Sequence, residues 1–174
     1  MEKKTFTLVP ASGIDATETA ALVNLAFSRY EILKGPRTDA AELAGEAGDT
    51  GEFLQRRDER GELIATALIR PASEFFAAYP APANLAVATA FYFGLAAVHP
   101  REMNSGFGGQ VLAESERIAL ERGFRTVVLG TVREFGLVEY YSRRGYIVIG
   151  HQDHEAGHWS IAVPHRTVEM VKGL

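Results

Sequence analysis

Two short stretches of this 174-residue chain combine residue types and spacings that could do chemistry. The first is Leu95-Ala96-Ala97-Val98-His99-Pro100-Arg101-Glu102-Met103-Asn104-Ser105-Gly106-Phe107-Gly108-Gly109. An apolar run enters a proline turn and then a helical pattern whose first turn is made of glycines. Each glycine weakens a helix by roughly 1 kcal/mol relative to alanine. Gly106, Gly108 and Gly109 together therefore point to something that approaches the backbone closely. The first N–H groups of a helix lack intrahelical acceptors and sit at the positive end of its dipole, which suits an anion. With no side chains in the way, a diphosphate can touch those amides. The alternative is packing alone, with small residues letting the helix lie near a strand. A dinucleotide-binding glycine fingerprint fits less well, because it should open the domain and be followed by an acidic residue at a strand end.

The second stretch is Glu139-Tyr140-Tyr141-Ser142-Arg143-Arg144-Gly145-Tyr146. Gly145 reads as a helix C-cap, and the arginines complement the helix dipole. A phenol projecting from such a helix could donate a proton or a hydrogen bond; the other reading makes Tyr140 and Tyr141 core aromatics. A third group, His151, His154 and His158 with Asp153 and Glu155, has ligand-type side chains. Gly157 and the preceding strand pattern place it in a loop. Without cysteines or an HExxH pattern, no metal is expected there. It reads as a solvated loop or one edge of a substrate site, with Trp159 covering a pocket or a subunit contact.

The elements that must position these stretches follow from periodicity. Phe6 and Leu8 alternate with threonines up to Pro10, an opening strand. Asp15 with Glu18 resembles a capping box. Leu22, Val23, Ala26, Phe27 and Tyr30 then predict a first helix over about Ala16–Tyr30. Arg37 to Thr50 reads as a weak second helix with a loop. Glu52–Arg56 and Leu63–Arg70, around Asp58-Glu59-Arg60-Gly61, predict a β-hairpin. Phe75, Phe76 and Tyr79 fit one short helix. Phe91–Val98 has almost no polar side chain and predicts a central strand covered on both faces. Val111, Leu112, Ser115, Ile118 and Ala119 mark the buried face of the glycine-led helix. Thr126–Leu129 is a short apolar strand, Phe135–Arg144 a helix, and Tyr146–Ile149 and Thr167–Val171 the last strands. The alternation gives an α/β fold with one mixed central sheet flanked by helices, a single domain over residues 1–174.

Composition bounds the function. Apolar residues make up 47% of the chain and charged ones 23%, which suits a globular domain and not a disordered one. The absence of cysteine excludes disulfides, thiolate metal sites, Fe–S clusters and a cysteine nucleophile. A net charge of −4 without a basic block argues against nucleic-acid binding. Met1–Thr7 is polar and basic with no apolar run behind it, unlike a secretory signal. The apolar-rich stretch Leu85–Val98 falls short of the roughly 20 residues that span a bilayer. A cytoplasmic protein without membrane or nucleic-acid partners is expected.

The chain resembles the GNAT N-acetyltransferase superfamily on two motifs in the right order. The family's coenzyme A segment is a strand ending in V-x-P, then Arg/Gln-x-x-Gly-x-Gly/Ala opening a helix. It is matched by Val98-His99-Pro100 and Met103-Asn104-Ser105-Gly106-Phe107-Gly108. The later segment, a helix ending in Tyr with Gly-Phe a few residues on, is matched by Tyr141 and Gly145-Tyr146. The resemblance implies acetyl-CoA as cosubstrate, bound by Ala97, Val98, Met103, Asn104, Ser105, Gly106, Phe107, Gly108 and Gly109. It implies direct transfer of the acetyl group to an amine of a small molecule or peptide, with a backbone N–H near Val98 on the thioester carbonyl and Tyr141 on the leaving thiolate. Met103 stands where the family has Arg or Gln, Glu134 where it often has Asn, and Leu137 where it has a small residue. The strand before Val98 lacks the family's frequent glutamate.

Two physical points qualify the chemistry. An ammonium near its reference pKa of about 10.4 has no lone pair, so the acceptor must arrive neutral or be deprotonated. A thiol of pKa about 8.5 lies roughly 1.5 units below a phenol, so full proton transfer from Tyr141 to the thiolate is uphill by about 2 kcal/mol; a hydrogen bond serves at least as well. No base stands out: Glu74, His99, Glu102 and Glu134 are in sequence reach, and each also reads as surface charge. The runner-up function is a catalytically silent acyl-CoA-binding or regulatory domain, and a third is transfer from a donor longer than acetyl. Phe75, Phe76, Tyr79 and Trp159 are candidates for a homodimer surface.

Overall fold

In the computed structural model, which describes residues 5–174, Asp15 caps the first helix: its Oδ1 accepts from the Glu18 amide at 2.9 Å. Only half of the expected capping box forms, because the Glu18 carboxylate turns to the Arg57 guanidinium, 2.8 Å from Nη1, instead of reaching back. The helix, α1 (Ala16–Phe27), buries Leu22, Val23 and Ala26. It stops short of Tyr30, whose ring leaves the helical path to stack on Phe135 at 4.0 Å. Asp39 caps α2 (Ala40–Ala47) through the amides of Ala41 and Glu42, both at 2.8 Å. Residues 1–4 of the polar N-terminal stretch lie outside the described residues.

The strands are β1 (Thr7–Pro10), β2 (Glu52–Arg57), β3 (Leu63–Pro71), β4 (Ala90–Val98), β5 (Thr126–Val132), β6 (Ile147–His154) and β7 (His165–Gly173). They form one seven-stranded sheet in the order β1-β2-β3-β4-β5-β7-β6, antiparallel throughout except for β4 against β5. Three further helices complete the fold: α3 (Ala72–Phe75), α4 (Phe107–Glu121) and α5 (Val138–Ser142). Val111, Leu112 and Ile118 of α4 pack on Ile69, Phe91, Phe93, Val127 and Leu129 on one face of the sheet. Full burial of such side chains contributes about 1.5–3 kcal/mol each. On the other face α1 and α2 cover Phe53, Leu68 and Leu95, and Ala72 of α3 packs on Ala90 and Val128. Among the described residues no helix is long and apolar enough to cross a membrane.

Beyond α1, and α3, which ends at Phe75 and leaves Tyr79 outside the helix, two more elements differ from expectation. The helix expected over Phe135–Arg144 is interrupted by Gly136, left-handed at φ 74°, which separates a 3-10 turn at Arg133–Phe135 from α5. Strand β6 runs to His154 instead of ending near Ile149, so His151 and His154 lie on a strand and only His158 lies in a turn. As the sheet's outer strand, β6 exposes much of its length, and its polar second half carries no apolar alternation to announce it.

The centre of the sheet carries the feature that matters for function. β4 and β5 pair only from Ala90–Thr126 to Phe93–Leu129, although both strands continue. On the β3 side, the register of β4 shifts between Gly94 and Ala97, and Leu95 adopts a left-handed φ of 48°. Such a backbone is strained for a branched side chain, and a bulge bends its strand. β4 therefore turns away from β5 and a wedge opens between them. The expectation that Phe91–Val98 is covered on both faces does not hold: from Phe91 on, buried and half-buried residues alternate, because the second face of β4 borders the opening.

Candidate active site

The wedge connects two cavities. One, of about 670 Å³, lies where the C-terminal ends of α1 and β4 meet the start of α4 and α5. Of the residues expected to hold coenzyme A, Ala97, Val98, Met103, Asn104, Gly106, Phe107, Gly108 and Gly109 line it, and Tyr141 does too. Ser105 does not line it; its hydroxyl donates to the Glu102 carbonyl instead.

The start of α4 is built for an anion. Gly106 is its N-cap in the left-handed region at φ 86°, and no side chain caps the helix. The first amide bonded back along the chain is that of Gln110, to Gly106 O at 3.0 Å, which leaves Phe107, Gly108 and Gly109 at the uncapped first turn. A Cβ added at Gly108 would sit 3.1 Å from the Tyr140 hydroxyl, and one at Gly109 would sit 3.5 Å from Arg144 Nη2. The Arg144 guanidinium lies over the Tyr140 ring, 3.6 Å from its centroid, and donates to the Tyr140 carbonyl at 3.0 Å. Arg29, at the end of α1, also lines the cavity. Free helix amides with two guanidinium groups suit an anionic ligand better than a neutral one. Sequence reasoning did not single out either arginine as facing this cavity.

The second cavity, of about 390 Å³, lies on the α3 side of the wedge. Phe75, Tyr79, Tyr92 and Trp159 give it an aromatic lining, and Arg37, Glu46 and Glu169 are its charged residues. Tyr92 and Phe75 lie face to face at 3.6 Å, and Tyr79 stacks on Phe75 at 4.6 Å. Trp159 is held over the cavity in a left-handed conformation at φ 50° by a crossing of two loops: Lys34 N donates to Ser160 O at 2.8 Å and Ala162 N to Ile32 O at 2.8 Å. Phe27, Phe93, Ala96, Leu137 and Tyr141 line both cavities, so the two meet at the Tyr141 side chain.

Burial raises the Tyr141 phenol well above its ordinary value, so the hydroxyl stays protonated at neutral pH and remains a donor. Its neighbour Tyr146 has a structural role: it is buried, and its hydroxyl donates to Glu116 at 3.0 Å. At the end of β4, His99 N donates to Ile64 O of β3 at 2.8 Å. Successive amides of an extended strand point to opposite edges, which turns the Val98 N–H toward the open wedge.

None of the four candidate bases lines the second cavity. Glu74 accepts from the Thr50 hydroxyl, and Glu134 accepts from the Arg166 amide at 3.1 Å. His99 accepts from the Arg101 amide at 3.2 Å, and Glu102 lines the anion cavity. The carboxylates that do face the second cavity, Glu46 and Glu169, come from α2 and β7. The histidines stack: His154 and His158 lie 4.3 Å apart at an interplanar angle of 4°. Among the described residues no three His, Cys, Asp or Glu side chains are grouped to hold a metal.

A sheet with one parallel pair that diverges, and a glycine-led helix facing the gap, define the fold of the GNAT acetyltransferases, and solved structures of that class match the whole chain. A GCN5-related N-acetyltransferase from Kribbella flavida aligns over 98% of this chain and 98% of its own, with a TM-score of 0.63 and 17% identity. An IAA acetyltransferase from Bacillus cereus aligns over 98% and 99%, with a TM-score of 0.63 and 13% identity. Neither a family model nor a curated protein sequence matches the chain.

Proposed function

We propose that this protein is an acetyl-CoA-dependent N-acetyltransferase that passes the acetyl group directly to an amine of a small molecule or peptide. The observation that carries this reading is the meeting of the two cavities at Tyr141, inside a wedge whose β4 edge presents the Val98 amide. Coenzyme A would lie in the larger cavity, its diphosphate on the amides of Phe107, Gly108 and Gly109 and beside Arg29 and Arg144. Bound there, it supplies an activated acetyl thioester.

The chain's own groups do the rest. The Val98 N–H stabilises negative charge on the thioester oxygen as the amine adds, the usual task of a backbone donor in acyl transfer. Tyr141 meets the departing sulfur. Its raised pKa makes complete proton transfer to the thiolate still less favourable than for an ordinary phenol, so it acts by a hydrogen bond held through the reaction. No cysteine is present to carry an acyl intermediate, in line with direct transfer.

Release of free thiol from acetyl-CoA over a panel of primary amines tests this. The chain adds no thiol background. Amine-dependent release is expected. Tight binding of acetyl-CoA with no release on any amine overturns catalysis and supports a silent acyl-CoA-binding domain, while release only from longer acyl-CoA donors reassigns the donor.

A further inference from the structure

Of the charged groups facing the second cavity, two nearly cancel. Arg37 Nη1 lies 3.8 Å from Glu46 Oε1, and the guanidinium is packed over Phe27 and Trp159, 5.8 and 5.4 Å from their ring centroids. Glu169 is different: among the described residues no cation lies within ion-pair distance of its carboxylate. Burial raises its pKa, while its own backbone amide and the neighbouring His151 oppose that rise.

The sheet leaves Glu169 uncovered on both sides. Its cross-strand partners are Gly130 on β5 and Gly150 on β6. A Cβ at Gly150 would press on Glu169 Oε2 at 3.2 Å, whereas one at Gly130 would find its nearest neighbour, Thr167 Cγ2, at 3.8 Å. Glycine inside a strand weakens it, and these two flank the carboxylate at one register position. Gly130 is also the residue next to Leu129, where pairing with β4 ends, so the space beside Glu169 opens on the wedge.

We propose that the acceptor is a primary amine on an apolar, ring-bearing body with no anionic group, and that Glu169 meets its ammonium and removes the proton. The body lies on the Phe75–Tyr92 stack under Trp159. A carboxylate-bearing acceptor fits badly, because its anion would share the cavity with Glu46 and Glu169 or have to take Arg37 from Glu46. This inference rests on the acetyl-transfer reading above. In the step, one N–H proton passes to the Glu169 carboxylate and the lone pair left on nitrogen attacks the thioester carbonyl carbon. The C–S bond breaks with its electron pair on sulfur, a second proton from nitrogen neutralises the thiolate beside Tyr141, and Glu169 returns its proton to water.

The test is steady-state thiol release with 2-phenylethylamine and with phenylalanine, the same body bearing a carboxylate, for wild type, Glu169→Gln and Glu169→Asp. 2-Phenylethylamine should exceed phenylalanine at least about tenfold in kcat/KM. Glu169→Gln should lower kcat/KM about 100-fold near pH 7, with the deficit shrinking as pH nears the amine's own pKa and acetyl-CoA affinity unchanged. Glu169→Asp should recover part of the loss. Equal use of phenylalanine, or a folded Glu169→Gln within about twofold of wild type at every pH, overturns this inference alone. Should Glu169→Gln not fold, a fully active Glu169→Asp with an unaltered pH profile overturns it. Wild type that binds acetyl-CoA but releases no thiol with any amine overturns the acetyl-transfer reading itself.

Discussion

The guanidinium of Arg29 donates from Nη1 to the thioether sulfur of Met103 at 3.2 Å, and from Nη2 to the Tyr30 hydroxyl at 2.6 Å. Met103 stands where the family that the sequence resembles has Arg or Gln. The structure thus brings a cation to the apolar substitute from the end of α1, across 74 residues of sequence. Arg29→Ala should raise the Kd for acetyl-CoA about three- to tenfold, a loss of about 0.7–1.4 kcal/mol, with kcat changed little. The effect should fade at high salt because Arg29 is exposed. Calorimetric titration at two salt concentrations reads both.

Tyr141→Phe should lower kcat about 10- to 100-fold while leaving the acetyl-CoA Kd within about twofold, because the lost hydrogen bond matters only as negative charge gathers on sulfur. The burst and steady-state rates of thiol release, beside a binding titration, separate the two effects. An equal loss in rate and affinity would show that Tyr141 packs the site and takes no part in the chemistry.

Gly108→Ala separates the anion cradle from simple packing. The added methyl would meet the Tyr140 hydroxyl at 3.1 Å and shield the first-turn amides. Acetyl-CoA affinity should fall more than about tenfold, while Tm drops only about 2–4 °C, equivalent to about 1 kcal/mol. Adding Tyr140→Phe removes the hydroxyl and should restore Tm but not affinity. Recovery of both would mean that the glycine is there to fit the tyrosine.

The stacked histidines set a pH dependence. His154 and His158 are both held below the ordinary imidazole value, first by burial. The neighbouring His165 adds to this for His154, against the opposing pull of Asp153, and His154, His165 and Arg37 add to it for His158. The unfolded chain therefore takes up protons more readily than the fold between the lowered value and about 6.5. The stabilisation is complete above about pH 6.5 and is lost as pH falls through that window. The Tm difference between wild type and His158→Gln, followed from about pH 8 to 5, should shrink or change sign below 6.5. A constant difference removes His158 from the pH response.

What was legible in the sequence is what is encoded locally. The glycines after Pro100, the apolar spacing of Val111, Leu112, Ser115, Ile118 and Ala119, and Tyr141 before Gly145 each signal within one element. Gly106, Gly108, Gly109 and Tyr141 do line the larger cavity, beside residues such as Arg29 and Phe93 that no local signal marks as facing it. The acceptor side was not legible, because it is assembled by pairing order. β7 is last in the chain yet lies between β5 and β6, so Glu169 reaches its neighbours Gly130 and Gly150 only through the sheet. Lone glycines inside strand patterns were the available signal. Likewise Arg37 meets Trp159 only because the loop after α1 is bonded to the loop before β7.

The two halves of the sheet are joined along a seam of four residue pairs, Ala90–Phe93 against Thr126–Leu129. Beyond it the banks of the wedge face each other without hydrogen bonds between strands, so a molecule lying there acts as a clamp across the middle of the protein. At 100 times its Kd such a ligand stabilises the fold by about 2.7 kcal/mol. Occupancy of the wedge, by donor or by spent product, is then written into the melting temperature, and cofactor and acceptor candidates can be sorted by heat before any chemistry is measured.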